Sequence, residues 1–197
     1  MINLVDLNRK IEELKTIKKE LINEKCRFLS TQKYEIKLNN GETIIREKLL
    51  KNGIEKEAVI ILAITDKNEV LLSVEPRVFT KETVLANLPA GYREKNETIY
   101  EAALRELKEE TGYVTNDIEL INSYYQDQGI SGALNYSFIC RNCIKETKQN
   151  LDKDEYINIF KCNYCDIEEL IKLGFIKDAN SILTILSSKE REMTKHV

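Results

Sequence analysis

Residues 91–113 read GYREKNETIYEAALRELKEETGY and carry the chain's strongest structural signal. Thr98 and Glu101 have the spacing of a capping box, good helix formers follow them, and Gly112 stands where a C-terminal cap belongs. The segment therefore predicts a loop, a helix and a second loop.

Several glutamates of this segment share one face of the predicted helix. Glu109 lies three residues after Glu106, and Glu110 lies four residues after it, so the three side chains converge. A solvated acidic face would explain the glutamates, but it would not explain Arg105 among them or the glycines at both ends. Because Mg²⁺ is commonly held by carboxylates together with substrate phosphates, the pattern favours a metal-assisted phosphate site.

These residues resemble the Nudix box, Gly-x5-Glu-x7-Arg-Glu-U-x-Glu-Glu-x-Gly-U, in which U is a bulky apolar residue. The resemblance implies an α+β fold, the Nudix α/β/α sandwich with a mixed sheet. It also implies hydrolysis of a nucleoside diphosphate linked to another group, with Mg²⁺ or Mn²⁺ held by the box glutamates. The matching positions are Gly91, Glu97, Arg105, Glu106, Leu107, Glu109, Glu110, Gly112 and, more loosely, Tyr113.

Segments outside the box resemble the ADP-ribose pyrophosphatases of that family. Leu88–Gly91 resembles the residues that precede the box in those enzymes, and Arg77 stands near the place of a substrate-binding arginine. The loop Asp127–Ser131 resembles their Asp-Pro-Gly-x-Ser loop, and Glu155 lies in a late acidic segment like the one that carries their catalytic glutamate. The likeness extends over most of the chain from about residue 33 onward.

The resemblance implies a role for each matching position. The expected metal ligands are the backbone carbonyl of Ala90 and the side chains of Glu106, Glu109 and Glu110. Glu155 is the first choice for the general base, with Glu109 and Glu110 as alternatives, while Arg105 orients a box glutamate and Glu97 holds the loop. Substrate contacts are expected from Arg77, Tyr92, Asp127, Gly129 and Ser131.

Two departures from those enzymes concern the nucleotide. Asn87 stands where they usually carry a glutamate two residues before the proline, which removes a charge near the metal site. The chain has no tryptophan, so stacking on an adenine would fall to Tyr34, Tyr92 or Tyr125. The sequence therefore supports a metal-dependent reaction better than it supports an adenosine-containing substrate.

Three functions remain open at this stage. The first is hydrolysis of ADP-ribose or a similar nucleoside diphosphate sugar to a nucleoside monophosphate and a sugar phosphate. The second is hydrolysis of another nucleotide, such as a triphosphate, a dinucleoside polyphosphate or a coenzyme. The third is a non-catalytic sensor that binds ADP-ribose; the unbroken glutamates count against it, since a sensor would be expected to lose them.

The composition of the chain limits its expected partners, location and catalytic chemistry. A net charge of -3 and a pI near 5.5 give no electrostatic reason to expect nucleic acid as a partner. The N-terminus lacks a signal-peptide pattern, and the apolar run Ala58–Ile64 is too short to span a bilayer, so a soluble cytoplasmic protein without a membrane partner is expected. The single histidine, His196, lies beside the C-terminus, which excludes Ser-His and Cys-His catalysis.

Hydrophobic periodicity predicts the order of elements. Residues 3–24 should form an amphipathic helix, and 27–37 with 42–50 a hairpin joined by an Asn-Asn-Gly turn. Residues 1–52 are interpreted as an extension for dimerisation and substrate contact, and 53–197 as the Nudix domain. A homodimer is expected. Further strands are predicted near 58–65, 69–74, 117–125, 134–144 and 156–162, and helices near 166–173 and 178–189.

Four of the five cysteines occur as two Cys-x2-Cys pairs, Cys140 with Cys143 and Cys162 with Cys165. That spacing is compatible with a structural zinc site. However, the first pair lies on a predicted strand, where residues three apart point to opposite faces. Buried reduced thiols are therefore favoured over zinc.

Overall fold

The computed structural model describes residues 2–22, 26 and 28–194. His196, the last residues of the predicted N-terminal helix and the start of the first predicted strand lie outside this range. No helix within it is both long and apolar enough to cross a membrane. In chain order the elements are α1 (Leu4–Leu14), β1 (Leu29–Lys37), β2 (Thr43–Lys51), β3 (Ala58–Thr65), β4 (Glu69–Arg77), β5 (Thr83–Asn87), β6 (Ala90–Tyr92), α2 (Ile99–Glu106), a π-helical turn (Leu107–Thr111), β7 (Tyr113–Val114), β8 (Asp117–Tyr125), β9 (Leu134–Lys145), β10 (Asn158–Asn163), a 3₁₀ turn (Tyr164–Asp166), α3 (Ile167–Lys172) and α4 (Ala179–Thr194).

The apolar strand β3 lies at the centre of the fold and is buried on both faces. Successive side chains of a strand point to opposite faces, so its residues alternate between two hydrophobic clusters. One cluster also takes residues of α2, and the other takes residues of α1, α3 and α4. The α+β sandwich implied by the Nudix resemblance is therefore confirmed. The β3 residues on the α2 side are Val59, Ile61 and Ala63, and those on the other side are Ile60, Leu62 and Ile64.

The main sheet is mixed. β3 runs parallel to β9 and antiparallel to β4 and β6, while β4 also pairs with β5 and β10, and β9 with β7 and β8. β1 and β2 form a separate antiparallel hairpin, as predicted. The short strands β5 and β6 are not among the predicted strands; they form because both find partners in the sheet, β4 and β3 respectively.

The N-terminal helix is shorter than predicted. It ends at Leu14, and Lys15 is already extended with ψ of 136°. Leu7 is fully buried in the main core, whereas Ile17 and Leu21 are fully or almost fully exposed. An amphipathic helix is stabilised mainly by the surface on which it packs, and here that surface ends one turn before Ile17. The predicted helical stripe beyond Leu14 is wrong.

The cysteines depart from the predicted strand geometry. Cys140 and Cys143 lie in the same hydrophobic cluster, because Asn142 has φ of +53° and the pairing with β3 shifts there, a bulge that turns the strand. Cys162 packs in the other cluster and Cys165 is exposed. Burial raises the pKa of Cys143 and Cys162 to about 12. These sulfurs are thus divided between the two sides of the sheet, and the part of the chain described contains no group of three or more cysteine, histidine or acidic side chains set to hold a metal.

Candidate active site

The helix that carries the acidic residues begins and ends as the sequence predicts. The N–H of Glu101 donates to the Thr98 hydroxyl at 3.2 Å, and the N–H of Thr98 donates to the Glu101 carboxylate at 2.8 Å. At the other end Gly112 has φ of +70° and donates to the carbonyl of Lys108. The last turn, Leu107–Thr111, is π-helical, a local widening often found at functional sites.

Arg105 connects the box residues to one another. Its Nε donates to Glu97 Oε1 at 2.8 Å, and its Nη1 donates to Glu106 Oε1 at 2.8 Å and to Glu109 Oε2 at 2.9 Å. Its Nη2 reaches the backbone carbonyl of Tyr92 at 3.0 Å. The hydrogen bond from Arg105 lowers the pKa of Glu97. Arg105 therefore aligns the helix with the loop before it and orients two of the expected ligands.

Glu110 is the most deeply buried of the box glutamates, with 6% of its surface exposed. Its Oε2 accepts from the Ser73 hydroxyl at 3.1 Å and from the backbone N–H of Ala90 at 3.3 Å. No cationic side chain pairs with it among the residues described. Burial, followed by the charges of Glu75 and Glu106, raises its pKa well above the ordinary value.

Strand β6 approaches the acidic helix so closely that its glycine has no room for a side chain. A Cβ at Gly91 would lie 2.0 Å from Cδ and Oε1 of Glu106. Pro89 accepts a backbone hydrogen bond from β3, so by the alternation of antiparallel pairing the peptide groups of Ala90 are turned away from β3. They face the helix, where the Ala90 N–H reaches Glu110. This arrangement suits the carbonyl of Ala90 to act as an oxygen ligand.

The site contains a carboxylate that sequence analysis missed. Glu75, near the end of β4, lines the cleft that Glu106 and Glu110 also line, and burial raises its pKa. Its Oε1 accepts from Asn87 Nδ2 at 2.9 Å and from Arg77 Nη2 at 2.6 Å. The signal was available in the sequence, since Ser73, Glu75 and Arg77 alternate along a strand and therefore share one face.

This donor set fits a divalent cation. Burial is also the largest cause that raises the pKa of Glu106, and Arg105 only partly offsets it. Arg77 pairs with Glu75 and Arg105 pairs with Glu106, but Glu110 between them has no cationic partner among the described residues. The negative charge left unneutralised is one that a divalent cation would stabilise. Among the described residues no three acidic side chains are grouped closely enough to hold a metal; Glu106 is hydrogen-bonded to Arg105, and Glu110 is hydrogen-bonded to Ser73.

The box glutamates line a cleft of about 1180 Å³. Glu106, Glu109, Glu110, Ala90, Arg105, Arg77, Tyr92 and Glu155 all line it, so the structure brings these predicted residues together. Asp127, Gly129 and Ser131 do not line it; they form a turn in which the Asp127 carbonyl accepts two backbone N–H groups. Their contact with substrate stays a prediction. Of the tyrosines considered for stacking, Tyr92 lines the cleft, whereas Tyr34 and Tyr125 do not.

Basic side chains also line the cleft, among them Lys51 and Lys56. Lys51 donates to the Tyr92 hydroxyl at 2.8 Å, and its Nζ lies 4.9 Å from the centre of that ring. Lys56 lies 5.2 Å from the same ring. Positive charge in the same cleft as the box glutamates is suited to a phosphate group that also binds a cation.

A group of polar side chains that lines the cleft was also missed. Asn135 donates to Gln126 and to Asn180, each at 3.2 Å, and Asp178 lies beside Asn180. These side chains come from β8–β9 and the start of α4, so no sequence spacing links them. They offer hydrogen-bonding groups of the kind that would orient a sugar or a base.

Comparison with known proteins agrees with this geometry. A NUDIX domain model matches residues 55–184. The methanol dehydrogenase activator of Bacillus methanolicus is 31% identical over 188 residues, covering 95% of this chain and 98% of that protein. The ADP-ribose pyrophosphatase of Bacillus subtilis (strain 168) is 28% identical over 178 residues, covering 90% and 92%.

Among solved structures, that of an ADP compounds hydrolase superposes with a TM-score of 0.75 at 20% identity, covering 92% of this chain and 98% of the other. This likeness shows the same fold. The chain therefore belongs to the Nudix family of hydrolases, and within that family it resembles the ADP-ribose pyrophosphatases.

Proposed function

We propose that this Nudix hydrolase cleaves the pyrophosphate bond of ADP-ribose or a similar nucleoside diphosphate sugar, in a reaction that requires Mg²⁺ or Mn²⁺. The products would be a nucleoside monophosphate and a sugar phosphate. The observation that carries the proposal is the buried carboxylate pair of Glu106 and Glu110, only one of which has a cationic partner, in a large cleft that basic side chains also line. The likeness to an ADP-ribose pyrophosphatase over 90% of the chain supports the substrate class.

The residues that line the cleft have distinct roles in the proposed reaction. Glu106, Glu109, Glu110 and the Ala90 carbonyl would hold the cation, which when bound neutralises charge on phosphorus and lowers the pKa of an attacking water. Arg105 orients the ligands, and Arg77 neutralises a substrate phosphate. Glu155 accepts the proton of the water from its place on the loop before β10, where it lines the cleft.

Replacing Glu155 with glutamine tests the general base. We expect kcat to fall by on the order of 100- to 1000-fold, because general-base catalysis contributes that much, while the thermal unfolding midpoint stays unchanged. Glu155 is exposed, and the backbone N–H of Asp152 that it accepts can also be held by the glutamine oxygen. The matched control is Asp154→Asn, a neighbouring exposed carboxylate of the same cleft. Equal losses in both variants would argue against Glu155 as the base.

A substrate panel tests the proposed reaction itself. Phosphate release, coupled to a phosphatase, is measured with Mg²⁺ over ADP-ribose, other ADP-sugars, GDP-mannose, nucleoside triphosphates, dinucleoside polyphosphates and dinucleotide coenzymes. Preference for ADP-ribose or another nucleoside diphosphate sugar supports the proposal. Preference for one of the other nucleotides would replace the substrate class, and binding of ADP-ribose without turnover would favour a sensor.

We also propose that the protein acts in the cytoplasm as a homodimer built through the β1–β2 hairpin. The side chains of β1 are exposed along its whole length, including Tyr34 and Ile36, and Ile44 of β2 pairs with Ile36 and so lies on the same face. An apolar patch of this kind is usual at a protein interface. Light scattering on the intact chain is expected to give twice the monomer mass, and Tyr34→Lys with Ile36→Lys, on one face of the hairpin, should give a monomer. A monomeric wild type would contradict the proposal.

A further inference from the structure

One face of β4 points toward the acidic helix. Ser73, Glu75 and Arg77 alternate along the strand and therefore lie on the same face. The first of them, Ser73, donates its hydroxyl to Glu110 Oε2. Glu75 is one step further along that face and lines the cleft with Glu106 and Glu110. The strand thus places a fourth glutamate beside the expected metal ligands.

The two carboxylate oxygens of Glu75 have different surroundings. Oε1 accepts from Asn87 Nδ2 and from Arg77 Nη2. Oε2 has no donor among the residues that the structure describes. The side chain is only 17% exposed, so bulk water replaces a missing protein donor poorly. The hydrogen bonds to Oε1 fix the orientation of the Glu75 carboxylate. Oε2 is therefore available to bind a cation or a water molecule.

Asn87 provides an independent observation at the same place. It is 98% buried, its amide nitrogen is used by Glu75, and its Oδ1 has no hydrogen-bond partner in the described part of the chain. Buried polar atoms are nearly always paired, and an orphaned one indicates a missing water or ion. Because both atoms belong to one amide, this unpaired oxygen lies at the edge of the carboxylate cluster. A water on a cation would supply the absent donor.

We propose that Glu75, oriented by Asn87, is a further ligand of the divalent cation site, directly or through one bound water. This inference rests on the proposed function. Asn87 and Arg77 hold the side chain in place, and Glu75 contributes the negative charge that position 87 lacks. It acts together with Glu106 and Glu110 in the cleft that Lys51 and Lys56 also line.

The test is Mn²⁺ binding to the substrate-free protein, measured by calorimetry and by the electron paramagnetic resonance signal of free Mn²⁺. Glu75→Gln is expected to raise the Kd for Mn²⁺ by on the order of 10- to 100-fold, as loss of a coordinating or supporting group does. The variant should remain folded, since the glutamine oxygen can still accept from Asn87. Its unfolding midpoint in chelator should be no lower than that of the wild type, because a buried charge beside Glu110 is removed.

A control variant and two further measurements distinguish a failure of this inference from a failure of the proposed function. Glu94→Gln removes an exposed carboxylate of the same cleft and should leave the Kd within about twofold of the wild type, well inside the effect expected for a ligand. If Glu75 served only to position Arg77, the KM for substrate would rise and Mn²⁺ affinity would not change, which would overturn the inference alone. A wild-type protein that binds no Mn²⁺ would overturn both the inference and the proposed metal-dependent function.

Discussion

Replacing Glu110 with glutamine is expected to reduce turnover by on the order of 1000-fold, since cation-assisted charge stabilisation is worth several kcal/mol. Glutamine has nearly the same shape, and its oxygen can still accept from the Ser73 hydroxyl and the Ala90 N–H. The loss would therefore come from the missing charge. Steady-state kinetics with the preferred substrate measure it. Wild-type rates of hydrolysis of every nucleoside diphosphate derivative by this variant would contradict the assignment of the active site.

The same variant should be more stable than the wild type without cations, and the difference should depend on pH. Burial raises the folded-state pKa of Glu110 above its ordinary value of 4.5. Such a group binds its proton more tightly in the folded protein, so its stabilising contribution is present below pH 4.5 and is lost as the pH rises toward the folded-state pKa. The wild type should therefore lose stability relative to Glu110→Gln across that window.

Denaturant unfolding in chelator, followed from pH 4.5 upward, measures this difference. Adding Mg²⁺ or Mn²⁺ should stabilise the wild type and have little effect on the variant, because a ligand that binds only the folded state shifts its stability by mass action. Glu146→Gln is a suitable control, since Glu146 is exposed and pairs with Lys108 away from the cleft. A pH profile equal to that of the wild type would argue that Glu110 is not buried as described.

Replacing Gly91 with alanine is expected to reduce turnover by on the order of 100-fold, as misplacement of a catalytic group by about 1 Å can do. The new Cβ would lie 2.0 Å from two atoms of the Glu106 carboxylate, so that carboxylate must move. The backbone of Gly91 does not have a positive φ, so alanine itself is tolerated there. Because the end of a flexible side chain yields easily, the stability of the protein should change little.

A double-variant cycle tests the cause of that loss. Glu106→Ala removes the atoms that the new methyl group would strike, so adding Gly91→Ala to it should cost no further activity. The two single losses would then be strongly non-additive. Additive losses would show instead that Gly91 contributes through the backbone of β6 or through the substrate. Circular dichroism and thermal unfolding of each variant confirm that the fold is retained.

Local chemistry made part of this structure predictable. Thr98 and Glu101 cap their helix through contacts three residues apart, and Gly112 adopts the left-handed conformation that its position requires. The apolar run of β3 likewise specifies a strand buried on both faces. In each case the determining interactions lie within a few residues, or follow directly from the strand repeat.

Other features depended on distant partners. The first helix stops at Leu14 because the core surface beneath it ends, although the apolar pattern continues to Leu21. Cys143 joins Cys140 on one face because of a bulge at Asn142, which the alternation of a regular strand does not anticipate. The short strands β5 and β6 exist only because the sheet offers them partners.

The sequence alone determined the family, the acidic helix and the residues Glu106, Glu109 and Glu110 as its chemical centre, because box spacing and capping are short-range properties. Only the tertiary structure decided how those charges are balanced. It buried Glu110 against Ser73 and placed Glu75 beside them. Burial and Coulomb interactions depend on distances in space, so residues 35 positions apart in the chain, such as Glu75 and Glu110, can share one site that no linear spacing describes.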